Sequence, residues 1–469
     1  MFRRDFLKGG ALALGGLLVS PVRGAVEIVK EEFSNKKAQN IIFLVSDGMS
    51  SGTLAMADIY SRRKYGRPSH WIALYENEPV NRGLMDMASA NSIVTDSAAA
   101  SSSWGSGHRV NNGSLNMGIN GESYLPILQK FQKAGKKVGC VTTVPITHAT
   151  PAGFCVHSKS RNAQDEIAEQ YLKLKFDVMM GGGNRFFAAN RRKDGKELYS
   201  DFKKNGFSVA RNKAEMMSAN ANKPLLAIFD EDGLPYSTDQ QSSSFSRTNI
   251  PTLAEMTQKA IELMKDHKQG FVMQVEAGKV DWAAHANDIA GLLYDQLAFD
   301  DAVKVAMDFA KKDKNTLVII TSDHGNANPA LTYGKNVNDN FDLIQKFSQT
   351  NEWILQGINP TDSISTVKER IASANAGIAV KDEKIKEILD YYQKAEREEG
   401  VYNPRHLPFR LLAGIQGEYT SVGWASMDHS ADYTELAMYG PGSELMSYFT
   451  KNTDLHHLML KAAHVQNVF

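Results

Sequence analysis

The sequence predicts an α/β protein built on a central, mostly parallel sheet flanked by helices. Three observations carry this reading. Several apolar runs are short enough to be strands and continuous enough to be buried on both faces, as strands of parallel sheets are. Helical patterns lie between them. Residues able to bind metals or attack an electrophile stand directly after the runs, where open α/β sheets hold their ligands.

The first run is Ile41-Ile42-Phe43-Leu44-Val45, which stops at Asp47-Gly48. Residues 123–134 read as a helix, with Leu125, Leu128 and Phe131 on one face and Gly135 as its stop. A strand over residues 137–144 ends at Pro145, just before Thr147-His148-Ala149-Thr150-Pro151. Pro251 and Thr252-x-x-Glu255 mark a helix start with capping-box chemistry, and Leu253, Met256, Ala260 and Met264 continue its apolar face. A strand over residues 270–275 leads into Glu276. A long helix over about 288–312 precedes a strand over 316–320, which runs into Asp323-His324. The stretch between His324 and His429 is polar and helical in pattern. Its part at about 335–415 is expected to be an insertion that covers the cleft or braces the scaffold. No repeat or low-complexity linker divides the chain, so residues 26–469 are expected to form one catalytic domain.

Lysine and arginine together number 53, as do aspartate and glutamate. That balance excludes the basic excess expected of a nucleic-acid binder. Arg3 and Arg4 precede an apolar stretch over residues 9–22, followed by the small residues Gly24 and Ala25. Residues 1–25 therefore read as an export signal, too short and glycine-rich to span a membrane. Arg3-Arg4-Asp5-Phe6-Leu7-Lys8 resembles the twin-arginine signal, with Phe2 where Ser or Thr is usual. The mature chain is expected to be periplasmic or secreted, with no membrane span. Cys140 and Cys155 would form a disulfide there, or stay as the buried free thiols that their apolar neighbours suggest. His456 and His457 read as surface residues on a C-terminal helix.

Six segments carry the chemistry: Ser46-Asp47-Gly48, Thr95-Asp96-Ser97-Ala98, residues 147–151 with Arg161, Glu276-x4-Asp281-x3-His285, Ser322-Asp323-His324-Gly325, and Asp428-His429-Ser430. Their residue types sort by metal preference. Imidazole with carboxylate suits zinc, whereas oxygen alone suits magnesium. Asp281, His285 and His429 make one mixed set, and Asp47, Asp323 and His324 a second. Asp47, Thr150 and Glu276 make an oxygen-only set, which Asp47 can join because a carboxylate has two oxygens. Ser97 opens a small-residue helical run. Arg161 offers the planar fork that matches phosphate. Taken singly, each residue has an ordinary reading: Ser97 as a helix cap, Asp47-Gly48 as a turn, Asp281 and His285 as an i,i+4 ion pair, Arg161 as a surface residue beside Lys159.

Taken together and in this order, the segments resemble those of alkaline phosphatases over about residues 40–441. The resemblance implies hydrolysis of phosphate monoesters to an alcohol and inorganic phosphate, through a phosphoserine intermediate at a site of two Zn2+ and one Mg2+. It implies Ser97 as nucleophile and Arg161 as phosphate ligand. Asp281, His285 and His429 would hold the zinc facing the leaving group, and Asp47, Asp323 and His324 the zinc that activates Ser97. Asp47, Thr150 and Glu276 would hold magnesium. A homodimer would fit the family. His148 and Trp282 depart from the familiar enterobacterial members, which place an aspartate and a lysine there, and resemble some marine bacterial members. Both are expected to act around the ligands, loosening the third metal and the phosphate. Trp282→Lys is then expected to tighten inhibition by phosphate, and His148 is expected to draw zinc toward the third site. The alternatives are a phosphodiesterase or sulfatase on the same scaffold, whose members typically lack the equivalents of Arg161, Thr150 and Glu276, and a non-catalytic phosphate or metal binder, which needs no Ser97.

Overall fold

The computed structural model describes residue 33, residues 36–398 and residues 401–467. The export signal expected over residues 1–25 lies outside the described residues. Ten strands form the central sheet: β1 Asn40–Ser46, β2 Asn81–Asp86, β3 Lys137–Pro145, β4 Val178–Gly182, β5 Ser208–Ala210, β6 Leu225–Ile228, β7 Phe271–Ala277, β8 Thr316–Thr321, β9 Thr434–Tyr439 and β10 Phe449–Lys451. Their order across the sheet is β10-β2-β9-β8-β1-β7-β3-β4-β6-β5. Only β9 is antiparallel to its neighbours, β8 and β2; every other pairing is parallel. The predicted α/β class with a mostly parallel sheet is the observed one.

The flanking helices used below are α1 Ser97–Ser106, α2 Ile127–Lys133, α3 Ala149–Cys155, α4 Leu253–Met264, α5 Lys279–His285, α6 Ile289–Asp313, α7 Asn351–Gln356, α8 Ile364–Ala374, α9 Asp382–Tyr392, α10 Phe409–Thr420 and α11 Asp454–Ala462. Strand periodicity divides β1 between two cores. Ile42 and Leu44 pack with Met256 of α4 and Leu292 and Phe299 of α6. Ile41, Phe43 and Val45 pack on the other face with Trp104, Phe131, Phe154 and Met459. The tight cluster of Phe43, Trp104 and Phe154, with centroids 4.9 to 6.2 Å apart, locks α1 and α3 onto the sheet. Truncating one of these rings to alanine would cost roughly 3–5 kcal/mol.

Two expectations need correction. The helix expected over residues 123–134 begins only at Ile127, because Pro126 fixes its own backbone and pushes Leu125 out of helical conformation. His456 is fully buried: its Nδ1 lies 2.9 Å from the Trp104 carbonyl and its Nε2 3.0 Å from Lys130 Nζ. His457 alone of the pair is exposed. Within the expected insertion, one part packs on a core of its own. That core joins Ile354, Ile371, Ile388 and Leu412 with Ala286 beside His285, whereas Phe341 and Ile344 pack into the main core. Cys140 and Cys155 are buried free thiols with Sγ atoms 3.4 Å apart.

Polar contacts tie the insertion to the scaffold. The Asp288 carboxylate caps α6 by accepting from the Gly291 N–H, and it also accepts from the Asn351 N–H at the start of α7. Gln416 of α10 donates to the side chains of Asn351 and Asn375.

Candidate active site

Parallel strands end at one edge, and the chain leaves that edge carrying the predicted side chains. In register, Val45 pairs with Glu276 and with Thr321, and Thr142 also pairs with Glu276. Asp47, Glu276 and Asp323 therefore converge, and all three are fully buried. Gly48 makes the turn possible. Its φ is +67°, and a Cβ there would lie 2.5 Å from Asp281 Oδ1. Only glycine accommodates both the left-handed backbone and that close approach.

Ser97 is the first residue of α1, but it does not cap the helix. Asp96 does, accepting from the Ala99 N–H. The Ser97 hydroxyl is left free of the backbone and lies 3.2 Å from His324 Nε2. The small residues after it let α1 approach α3: a Cβ on Gly153 would sit 2.1 Å from Ser101 Oγ, and one on Gly105 2.0 Å from the Gly153 carbonyl. Arg161 Nη1 donates to Asp96 Oδ2 at 3.0 Å, and its Nη2 lies 3.2 Å from His148 Nε2.

Three histidines direct their rings the same way. His285 Nδ1 lies 2.6 Å from the Met427 carbonyl, His429 Nδ1 3.0 Å from the Thr95 carbonyl and His324 Nδ1 3.3 Å from the Gly325 carbonyl. A carbonyl only accepts, so each Nδ1 carries the proton and each Nε2 presents a lone pair. His285 Nε2 and His429 Nε2 are 3.1 Å apart, and both stand 3.5 Å from Asp281. His324 Nε2 is 3.3 Å from Asp323 and 3.5 Å from Asp47.

The ligating atoms of Asp281, His285 and His429 gather within 4.8 Å of one another, as do those of Asp47, Asp323 and His324, and those of Asp47, His148 and Glu276. Lone pairs facing each other at this range need a cation between them. Asp47 Oδ1, Asp323 Oδ2 and Glu276 Oε1 are buried with no hydrogen-bond partner in the protein, which leaves their lone pairs open to a metal ion. The donor sets fit metal ions. Second contacts hold the ligands in place: Asn326 Nδ2 donates to Asp281 at 2.6 Å, Thr142 to Glu276 at 2.5 Å, Thr150 to Asp47 at 3.3 Å, and the Gly48 N–H to Asp323 at 3.0 Å.

Electrostatics mark the same cluster. Burial raises Asp47, and the charges of Asp323, Asp281 and Glu276 raise it further. Burial also pushes Asp323 up to about 8 and Glu276 up to about 7. Burial opposes ionisation of Asp281 too, but the positive charge that His285, His429 and His324 carry when protonated outweighs it and holds this carboxyl below its usual range. His148 is pushed down to about 3 by burial and by Arg161.

The alkaline phosphatase family model matches residues 38–465. The chain belongs to the alkaline phosphatase family. It is 30% identical to alkaline phosphatase 4 of Bacillus subtilis, over 96% of this chain and 95% of that one. It is also 30% identical to alkaline phosphatase of Escherichia coli, over 73% of this chain and 82% of that one. The crystal structure of Thermus thermophilus alkaline phosphatase superposes with a TM-score of 0.84 at 31% identity, covering 97% of this chain and 96% of that one. Members of this family are metal-dependent phosphoric monoester hydrolases, and the buried donor sets accord with that class.

The structure brings together every predicted site residue. It also adds some that sequence reasoning missed. Asp96 lies beside Ser97 within Thr95-Asp96-Ser97-Ala98, where nothing in the residue pattern gives it a role. Asn326 follows the Ser322–Gly325 segment directly, so adjacency was a usable signal. Thr142 is legible only from strand register. The Met427 and Thr95 carbonyls are backbone atoms that no side-chain pattern reports.

Proposed function

We propose that this protein hydrolyses phosphate monoesters with Ser97 as nucleophile. The observation that carries the reading is the Ser97 hydroxyl, released from capping by Asp96 and set beside His324 in a cluster of orphaned metal donors. Zinc at Asp281/His285/His429 and at Asp47/Asp323/His324 would supply Lewis-acid charge at the leaving oxygen and at the nucleophile, while magnesium at Asp47/Thr150/Glu276 would order the carboxylates between them. Arg161 grips two phosphate oxygens through its fork, while Asp96 holds the guanidinium from behind. The Ser97 Oγ–P bond forms as the bond from phosphorus to the leaving alcohol breaks. Water then cleaves the Oγ–P bond, which releases inorganic phosphate and restores the serine. Charge stabilisation supplies most of the rate, as in phosphoryl transfer generally.

His148 is gathered with Asp47 and Glu276, and its buried Nδ1 has no hydrogen-bond partner, but its tautomer keeps it from ligating there. Its Nε2 accepts from Arg161, which can only donate, so the ring proton sits on Nδ1. A protonated nitrogen does not ligate a metal. This favours the oxygen-only magnesium set over zinc. Metal analysis should return two zinc ions and one magnesium ion per chain; three zinc ions would mean that the ring has turned.

The test is hydrolysis of p-nitrophenyl phosphate at pH 8–10 by the metal-loaded mature protein, beside Ser97→Ala and a chelated sample. Loss of activity in both controls, by about a thousandfold or more for Ser97→Ala, supports the reading. Retained activity in Ser97→Ala overturns it. Faster cleavage of bis-p-nitrophenyl phosphate by the wild type would move the assignment to a diesterase.

A further inference from the structure

Lys279, two positions before Asp281, takes no part in the chemistry above. It is nevertheless a buried charge beside the site, only 5% exposed. Its backbone N–H donates to Thr143 Oγ1 at 3.1 Å. Its ammonium makes no hydrogen bond or ion pair among the described residues. Instead Nζ lies 3.6 Å from the ring centroid of Tyr236 and 4.5 Å from that of Trp282. A buried ammonium needs compensation for its lost hydration. Two aromatic faces provide it, and the carboxylates of Asp230, Asp239 and Asp295 lie near enough to feel the charge. The cage is closed from one side by the loop at Gly233, where a Cβ would lie 2.9 Å from Trp282 Cζ3 and 3.3 Å from Lys279 Cδ.

The caged indole leads into the site. Trp282 meets the His148 ring edge to face, with centroids 6.1 Å apart and planes at 79°. His148 Nε2 meets Arg161 Nη2 at 3.2 Å, and Arg161 Nη1 meets Asp96, the cap of the helix that starts at Ser97. Contact therefore runs unbroken from Lys279 through Trp282 and His148 to Arg161. We propose that Lys279 is a positioning residue for phosphate capture: its caged ammonium holds the Trp282 ring against His148, and so holds the Arg161 guanidinium where it meets phosphate. The inference rests on the reading of Arg161 as the phosphate ligand. Lys279 itself touches no substrate. A methionine would fill its volume without the attraction to the rings; an arginine would keep that attraction and stack flat on the indole.

The experiment compares the metal-loaded wild type with Lys279→Met, Lys279→Arg, Trp282→Leu and the Lys279→Met/Trp282→Leu double variant. It reads the inhibition constant for inorganic phosphate, KM and kcat for p-nitrophenyl phosphate, and the melting temperature. Lys279→Met should weaken phosphate by roughly threefold to thirtyfold, the range of cation–π contacts from exposed to desolvated, with KM rising by a larger factor than kcat falls. Lys279→Arg should recover most of the loss. In the Trp282→Leu background Lys279→Met should add nothing, because the lysine acts through the ring. An unchanged phosphate constant with only a lowered melting temperature would overturn the proposal, leaving Lys279 as a packing residue. Equal weakening with and without Trp282 would also overturn it, in favour of a direct field effect. A wild type that hydrolyses no monoester would sink the phosphatase reading instead, and calorimetric binding of inorganic phosphate to the same proteins would then decide the role of Lys279.

Discussion

Asp96 shows how much one carboxylate organises. One oxygen caps α1 through the Ala99 N–H, and the other accepts from the Gly113 N–H and from Arg161. Sequence pattern made Ser97 a candidate cap, and by itself nothing in Thr-Asp-Ser distinguishes which residue takes that role. The candidate metal ligands were legible because aspartate and histidine at strand ends have few other uses in such number. The positioning groups were not, since a carbonyl or a threonine on the next strand becomes relevant only through register. The buried carboxyls also set a pH dependence. Glu276 and Asp323 are raised to about 7 and about 8 in the folded protein, above ordinary values of about 4 in the unfolded chain. The folded, metal-free state therefore binds protons more tightly than the unfolded one, and its stability falls as pH rises from about 4 through 8. We expect the melting temperature of the chelated protein to drop steadily between pH 5 and pH 9. In the metal-loaded protein, where the ion neutralises these carboxylates, that decline should shrink to the share of Asp288, Asp295 and Asp300, buried carboxyls outside the donor sets that are also raised. Parallel curves for the two forms would show that Glu276 and Asp323 are not metal ligands.

At the scale of elements, close packing of short helices positions the chemistry. Helix α3 carries Thr150, and α1 carries Ser97; they touch through glycine, alanine and serine. Ser101 Oγ lies 2.7 Å from the Ser97 carbonyl and 3.1 Å from the Ala149 carbonyl, so its one proton bridges the starts of the two helices. Gly153→Ala places a methyl group where Ser101 now sits, 2.1 Å from its Oγ and 2.9 Å from its backbone carbon. The helices must separate, at about 1–3 kcal/mol. The expected result is a lower melting temperature together with weakened magnesium retention, read by metal analysis after dialysis. Unchanged magnesium with lowered stability would show that α3 does not set the third site. The small-residue run after Ser97 was visible in the sequence, but its partner was not: periodicity reports which face is buried, never against what. Element ends were least legible where local chemistry overrode pattern, as at Pro126. The Thr252–Glu255 capping box, whose signal is wholly local, formed as read.

The molecule as a whole separates into a part organised by charge and a part organised by burial. Parallel strands deliver Asp47, Glu276 and Asp323 to one edge, where burial makes the cluster costly without cations between the carboxylates. The insertion packs on an apolar core of its own and meets the site just beyond His285, through Ala286 and the Asp288–Asn351 contact, while the Met427 carbonyl that faces His285 lies downstream of it. Ligand binding to the folded state alone stabilises by mass action, by about 4 kcal/mol when the ligand stands at a thousand times its dissociation constant. Chelation should therefore lower the melting temperature by several degrees, and hydrogen exchange should locate the loss. Amides around residues 47–50, 96–101, 276–286 and 322–326 should lose protection on metal removal. Those of α8 and α9 should keep theirs, because no metal-donor group includes a residue from them. Uniform loss across both regions would instead mean that the insertion and the metal edge unfold as one cooperative unit, with the Asp288–Asn351–Gln416 contacts strong enough to join them.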